Sequence, residues 1–184
     1  EITSDKLKNF DAIILGIRAY NTNERAKYFQ KQLHAYVNNG GTMIVQYNTS
    51  HRLKVKELAP YPLKLSRDRV SDENAKVQFL NPAHELLNYP NKISQEDFEG
   101  WVQERGLYFP KEWDAHFEPV LSMSDKNETP KTGSLLVAKH GKGTFIYTGL
   151  SFFRELPAGV PGAYKLFVNM LSIGKNNIDK PLKN

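Results

Sequence analysis

The sequence predicts a single α/β domain built around a mostly parallel sheet, and three observations predict it. Asp11-Ala-Ile-Ile-Leu-Gly-Ile17 is a continuous apolar run, as expected of a strand buried on both faces of a parallel sheet. Phe29, Leu33, Tyr36 and Val37 then repeat at i, i+4, i+7 and i+8, one face of a helix. Gly40-Gly41 ends that helix, and Thr42-Met-Ile-Val-Gln46 reads as a second buried strand. Strand, helix and strand within about 36 residues form a βαβ unit, whose crossover is right-handed.

The remaining elements follow in order. Ser4 to Asn9 is short and polar and fits one or two helical turns. Arg18-Ala-Tyr-Asn-Thr22 reads as a polar loop at the carboxyl end of the first strand, with Asn23 an N-cap and Glu24 in the first turn of the helix. Residues 48–75 are polar, carry Pro60 and Pro62, and read as irregular. Lys76 to Leu80 reads as a short strand, Asn81-Pro82 as the start of a turn or short helix through Leu87, Gln95 to Trp101 as helical, and Gly106 to Phe109 as extended. Phe117 to Met123 and Ser134 to Lys139 read as strands, separated by an exposed loop over Ser124 to Gly133. Gly141-Lys-Gly143 turns the chain into Thr144-Phe-Ile-Tyr-Thr148, so that 134–139 and 144–148 form a hairpin near the C-terminus. The last helix opens near Pro161, a residue suited to the first helical position, with Tyr164, Phe167, Val168 and Leu171 as its apolar face and Gly174 as its cap. The domain spans 1–175, and 176–184 reads as a basic C-terminal tail.

Composition excludes several classes of function. The chain has no cysteine, which removes disulfides, thiolate nucleophiles and cysteine-ligated metals together. Its net charge of +5 comes from scattered lysines with no basic run interleaved with aromatics, so it reads as a basic surface rather than a nucleic-acid footprint. No window approaches the roughly 18 uninterrupted apolar residues of a membrane span. His34, His51, His84, His116 and His140 show no metal-ligand spacing, and neither metal nor cofactor is expected. The opening Glu1-Ile2-Thr3-Ser4-Asp5 has no initiator methionine and no signal-peptide layout, and reads as a processed or internal end with any targeting signal upstream.

Open α/β sheets hold ligands beyond the carboxyl ends of their strands. Three segments converge there: Arg18-Ala-Tyr20-Asn21, Tyr47-Asn48-Thr49-Ser50-His51-Arg52 and Ser151-Phe152-Phe153-Arg154-Glu155. They nominate Arg18, Tyr20, Asn21, Tyr47, Asn48, His51, Arg52, Phe153, Arg154 and Glu155 as ligand-binding residues. His51 is read either as a ligand contact or as a loop-ordering group. Arg18, Arg52, Arg67, Arg69, Arg105 and Arg154 gather in these regions, whereas lysine dominates elsewhere. A guanidinium fork suits carboxylates and sugar hydroxyls, and the alternative is internal pairing with Asp68, Glu104 and Glu155. Trp101, Tyr108, Phe109, Trp113, Phe152 and Phe153 divide between core packing and a sugar-stacking wall, with core the commoner role. Gly149-Leu-Ser151-Phe-Phe153 lacks the last glycine of a nucleophile elbow, and Gly141-Lys-Gly143 is too short to cradle a phosphate.

Phe10-Asp11-Ala-Ile-Ile-Leu-Gly16, Asn38-Asn-Gly-Gly-Thr-Met-Ile-Val45 and Gly141-Lys-Gly-Thr-Phe-Ile-Tyr147 resemble the class I glutamine amidotransferase-like superfamily, nearest its trehalose-utilisation (ThuA-like) branch. Gly16-Ile-Arg-Ala-Tyr-Asn21, Gly100 to Phe109 and Thr148 to Tyr164 resemble, more narrowly, the C-terminal domain of large bacterial PIG-L (LmbE-like) deacetylase-family proteins. The resemblance implies a three-layer flavodoxin-like fold, an upstream zinc-dependent deacetylase domain as partner in the parent chain, and an exported bacterial protein. Departures from the family decide the functional expectation. Tyr47 stands about where the amidotransferase cysteine belongs, the His-x-Glu pair is absent around Ser151 to Glu155, and the deacetylase motif Ala-His-Pro-Asp-Asp is missing. A tyrosine hydroxyl with a pKa near 10 and no base does not replace a thiolate.

The resulting expectation is a non-catalytic accessory module that binds carbohydrate or a partner domain. Alternatives are a sugar hydrolase or isomerase using His51 with Glu155 or Glu104 as acid and base, and a purely structural domain. In the superfamily a strand and helix precede the segment matching Asp11 to Ile17, and the ten residues ahead of Asp11 are too few for them. The resemblance therefore implies that the first βα unit is lacking, leaving an open apolar strand edge prone to self-association.

Overall fold

The computed structural model describes residues 2–175. Its elements run α1 (Ser4–Leu7), β1 (Ala12–Leu15), α2 (Ala19–Thr22), α3 (Ala26–Asn38), β2 (Thr42–Gln46), β3 (Leu63–Val70), β4 (Gln78–Phe79), β5 (Gly106–Trp113), β6 (Phe117–Pro119), β7 (Leu121–Ser122), β8 (Leu135–His140), β9 (Gly143–Thr148), α4 (Phe152–Glu155) and α5 (Pro161–Ser172). Two 3₁₀ turns, Glu85–Leu87 and Gln95–Phe98, lie between β4 and β5. The basic tail expected over 176–184 lies outside the described residues.

The main sheet has the order β1-β2-β9-β8-β6. β1, β2 and β9 are parallel, in register Ala12↔Thr42 and Thr42↔Thr144. β8 and β6 add antiparallel strands, and β8 closes the expected hairpin with β9 through His140↔Gly143. The hairpin turn rests on the end of α3: Lys142 N donates to Asn38 O at 2.9 Å. Gly141 there adopts φ 58, and a Cβ would stand 2.3 Å from Asn38 Oδ1.

Alternation along the strands splits the core in two. Met43 and Val45 of β2 and Phe145 and Tyr147 of β9 pack on one side with Leu33, Tyr36 and Val37 of α3. Ile44 and Ile146 pack on the other side with Ala163, Leu166 and Met170 of α5. Helices on both faces of a mixed, largely parallel sheet make this a three-layer flavodoxin-like α/β domain. β1 ends the sheet, and its burial is incomplete: Ile14 is 41% exposed and Phe10, just before it, 59%. The expected open edge is therefore present among the described residues.

Other expectations change. Residues 18–22 are not simply a loop, because 19–22 coil into α2. The region read as irregular contains β3, which pairs with β5 as an antiparallel ribbon. The strand expected over Phe117 to Met123 is divided: β6 joins the main sheet and β7 pairs with the two-residue β4. The buried face of α5 is turned relative to the expected one. Tyr164 and Val168 are 48% and 41% exposed, whereas Ala163, Leu166 and Met170 are buried and Phe167 and Leu171 lie at the margin. The cause is Gly162, whose bare backbone sits against Asp97 and sets the rotation of the helix.

Candidate functional site

The loops after β1 and β2 are joined by buried hydrogen bonds. Asn48 Oδ1 accepts Tyr20 N–H at 2.9 Å. Asn21 accepts Thr49 N–H at 2.8 Å and donates through Nδ2 to the carbonyls of Thr49 and His51 at 3.2 and 2.9 Å. Tyr147 on β9 holds the second loop from below, its hydroxyl accepting Asn48 N–H at 3.1 Å. Asn21 and Asn48, nominated as ligand contacts, are thus buried fasteners that set the shape of the loops, and Tyr20, nominated with them, is a buried core ring held through its backbone N–H. Sequence position alone does not reveal which way such side chains turn.

Above this base lies an aromatic cluster. Tyr47 is 8% exposed, its ring parallel to Tyr108 with centroids 6.0 Å apart and tilted against Phe153 at 5.2 Å. Tyr108 arrives through a β-bulge. β5 pairs Leu107 with Arg69 and Phe109 with Asp68, which leaves Tyr108 as the extra residue, at φ 54. Bulges of this kind re-aim side chains. The ribbon is tied to the main sheet by Leu107 N donating to Gly149 O at 2.9 Å, which brings the bulge to the carboxyl end of β9. Of the positive-φ residues other than glycine, Arg18, Arg52, Gln103 and Tyr108 all lie on the segments around this cluster, and Asn127 does not. Strained backbone of this kind concentrates at functional sites.

Two guanidinium groups border the rings. Arg154 lies over Phe153 at 4.8 Å and donates through Nε to Glu104 Oε1 at 2.9 Å. Arg18 is anchored by its own N–H to Tyr47 O at 2.8 Å, and no carboxylate of the described residues pairs with its side chain. Burial pushes the Tyr47 phenol above its ordinary value, with Arg18 and Arg154 acting in the opposite sense and Glu104 reinforcing it. All three charged groups therefore stand around one ring. Arg52 is exposed on the adjoining loop, and Arg67 and Arg69 are exposed on β3. Arg105 is withdrawn instead. It is 4% exposed, donates to the carbonyls of Ala75 and Phe98, lies over Trp101, and is pulled down to about 10 by burial.

Glu155 turns inward. It is fully buried and accepts Val102 N–H at 2.9 Å and Ser151 Oγ–H at 3.0 Å, bracing the 101–105 segment against α4. Burial raises its carboxyl above the ordinary value. His51 is exposed, with no carboxylate of the described residues in pairing distance, and its carbonyl, not its ring, orders the loop. Trp101, Phe109 and Phe152 belong to the core on the α5 side and Trp113 packs against the core on the α3 side, leaving Tyr108 and Phe153 as the half-exposed rings of the cluster. Among the described residues no group of three or more His, Asp or Glu is placed to hold a metal ion, and no helix is long and apolar enough to cross a membrane. A cleft of about 820 Å³ opens at the opposite end of the sheet, beside Gly41-Thr42 and Gly143-Thr144. It lies at the amino ends of the parallel strands, away from the aromatic and arginine cluster, and its Lys139 and Lys175 are engaged by Thr144 and Asp11.

No family model matches the chain, and no curated protein matches it. Solved structures do. A cytoplasmic protein of Salmonella typhimurium superposes with a TM-score of 0.58 at 14% identity, over 92% of this chain and 74% of that one. A ThuA-like protein of Bacteroides uniformis superposes with a TM-score of 0.50 at 17% identity, over 91% and 70%. A cold-adapted β-galactosidase of a Rahnella species superposes at 0.52 and 13% identity, over 95% of this chain but only 24% of its own. At these identities the likeness is one of fold, and that fold is shared by a ThuA-like protein and by a part of a glycosidase.

Proposed function

We propose that the chain is a non-catalytic carbohydrate-binding accessory module of a larger sugar-acting protein, with a PIG-L/LmbE-like deacetylase as its parent. The observation that carries the reading is the platform formed by Tyr108 and Phe153 on the buried Tyr47 ring, with Arg18 and Arg154 at its border. Apolar faces of sugar rings pack on such aromatic surfaces, and guanidinium groups bond the hydroxyls. The riveted loops support this reading, because preorganised walls lower the ordering cost of binding. Occurrence of the same fold as about a quarter of a β-galactosidase chain supports the accessory role. Hydrolase chemistry is less favoured: Glu155 is spent on Val102 and Ser151, and no nucleophile stands at Tyr47.

Calorimetric titration of the domain with N-acetylated sugars and glycan fragments tests the proposal. Binding that weakens in Tyr108→Ala and Phe153→Ala is the expected result. Absence of heat with every sugar removes the carbohydrate reading and leaves docking to a partner domain.

A further inference from the structure

The platform carries more positive charge than a neutral sugar needs. Arg154 is compensated by Glu104, but the contact runs through Nε alone, and the arginine side chain remains 36% exposed. Arg18 has no carboxylate partner among the described residues, although its backbone is fixed by the Tyr47 carbonyl, which accepts its own N–H, and by Asn48, which accepts Tyr20 N–H. It also holds a left-handed conformation, φ 55 and ψ 17, which a side chain with no task would not favour. Arg52, equally unpaired, sits in the next loop at φ 57. The aromatic floor is therefore bordered by guanidinium groups in excess over carboxylates. Glu104, the acid beside the platform, is largely buried and already engaged.

Resting on the carbohydrate reading, we infer that the site selects an acidic sugar, a uronate-type residue whose carboxylate is bound by Arg18 while its ring packs against Tyr108 and Phe153. A guanidinium meets a carboxylate through two parallel N–H···O bonds, stronger than its bonds to neutral hydroxyls. Stacking supplies the sugar specificity and the charge supplies the preference for acid. Neither alone suffices: a flat aromatic surface accepts neutral sugars, and a bare arginine accepts any anion.

The test is a calorimetric comparison of trigalacturonic acid, galactotriose and a triglutamate peptide on the intact chain, in wild type and in Arg18→Asn. Asparagine tolerates the left-handed backbone, so the variant keeps its fold, which circular dichroism verifies. The uronate is expected to bind about ten-fold more tightly than the neutral sugar, to weaken with added salt, and to fall to the neutral level in the variant. Equal affinity for both sugars overturns the acidic preference and leaves the carbohydrate reading standing. Peptide binding as tight as the uronate overturns it too, since the rings then contribute nothing. No binding of either sugar overturns both.

Discussion

Asn21 and Thr49 exchange two hydrogen bonds, the carboxamide accepting Thr49 N–H at 2.8 Å and donating to Thr49 O at 3.2 Å. This reciprocal pair locks the loop after β1 to the loop after β2, and a third bond to His51 O extends it. Asn21→Ala leaves those buried backbone groups unsatisfied. The expected loss is about 2–4 kcal/mol, read as a lower urea midpoint. Ligand affinity falls in the same variant, because the segment that carries His51 and Arg52 loses its anchor to the loop that carries Arg18.

Glu155 leads to a pH dependence of defined sign. Burial raises its carboxyl above the ordinary value of 4.5, so the folded state holds that proton more tightly than the unfolded chain. The stability it contributes is full below about pH 4.5 and is lost as pH rises through the folded-state value. Glu155→Gln keeps an acceptor for Val102 N–H and removes the titration. The wild type should lose stability relative to the variant across that window, in urea midpoints measured from pH 4 to 7. A constant difference over that range refutes the assignment.

Arg52 holds φ 57 without an ion pair among the described residues. Glycine accepts that conformation without steric cost, though it adds freedom to the unfolded chain. Arg52→Gly is expected to stabilise the domain by about 0.5–1 kcal/mol in chemical denaturation. Weaker binding of an anionic ligand in the same variant would show that the arginine is kept for function.

Gly162 provides a test in which local and tertiary effects oppose. Within an isolated helix, glycine to alanine is favourable by about 1 kcal/mol. Here the added Cβ stands 1.9 Å from Asp97 O, a backbone atom of the neighbouring turn. Gly162→Ala should therefore destabilise by about 1–3 kcal/mol, with the thermal midpoint falling.

The edge of β1 predicts concentration-dependent behaviour. Its outer backbone groups have no strand partner among the described residues, and Ile14 is 41% exposed. A lysine on such an edge discourages strand addition. Ile14→Lys should raise the concentration at which light scattering first reports association, with little change in stability.

Much of this architecture is legible in the residues. β2 and β9 read clearly because each is a short apolar run bounded by glycine and polar residues, and the hairpin announces itself in Gly141-Lys-Gly143. β3 does not, because its alternation Leu63, Leu65 breaks at the irregular register around Ser66 to Asp68. The rotation of α5 depends on a residue with no side chain to signal it. At the site, the rule about strand carboxyl ends finds Arg18, Tyr47, Phe153 and Arg154. It does not separate them from Tyr20, Asn48 and Glu155, whose side chains turn inward. Tyr108 reaches the cluster only through pairing between β3 and β5, a long-range event with no local signature.

The two-sided core has a consequence for how binding can be tuned. Tyr20 and Tyr147, beneath the first two loops, belong to the α3 side, while Phe109 and Phe152, next to Tyr108 and Phe153, belong to the α5 side. The platform thus straddles a seam. Phe145 and Ile146 are sequence neighbours, yet they act on opposite halves of it. Volume changes in either half move one wall and leave the other in place, so their effects should add. Selection on this fold has two separate dials for one surface, and either can drift without dismantling the other.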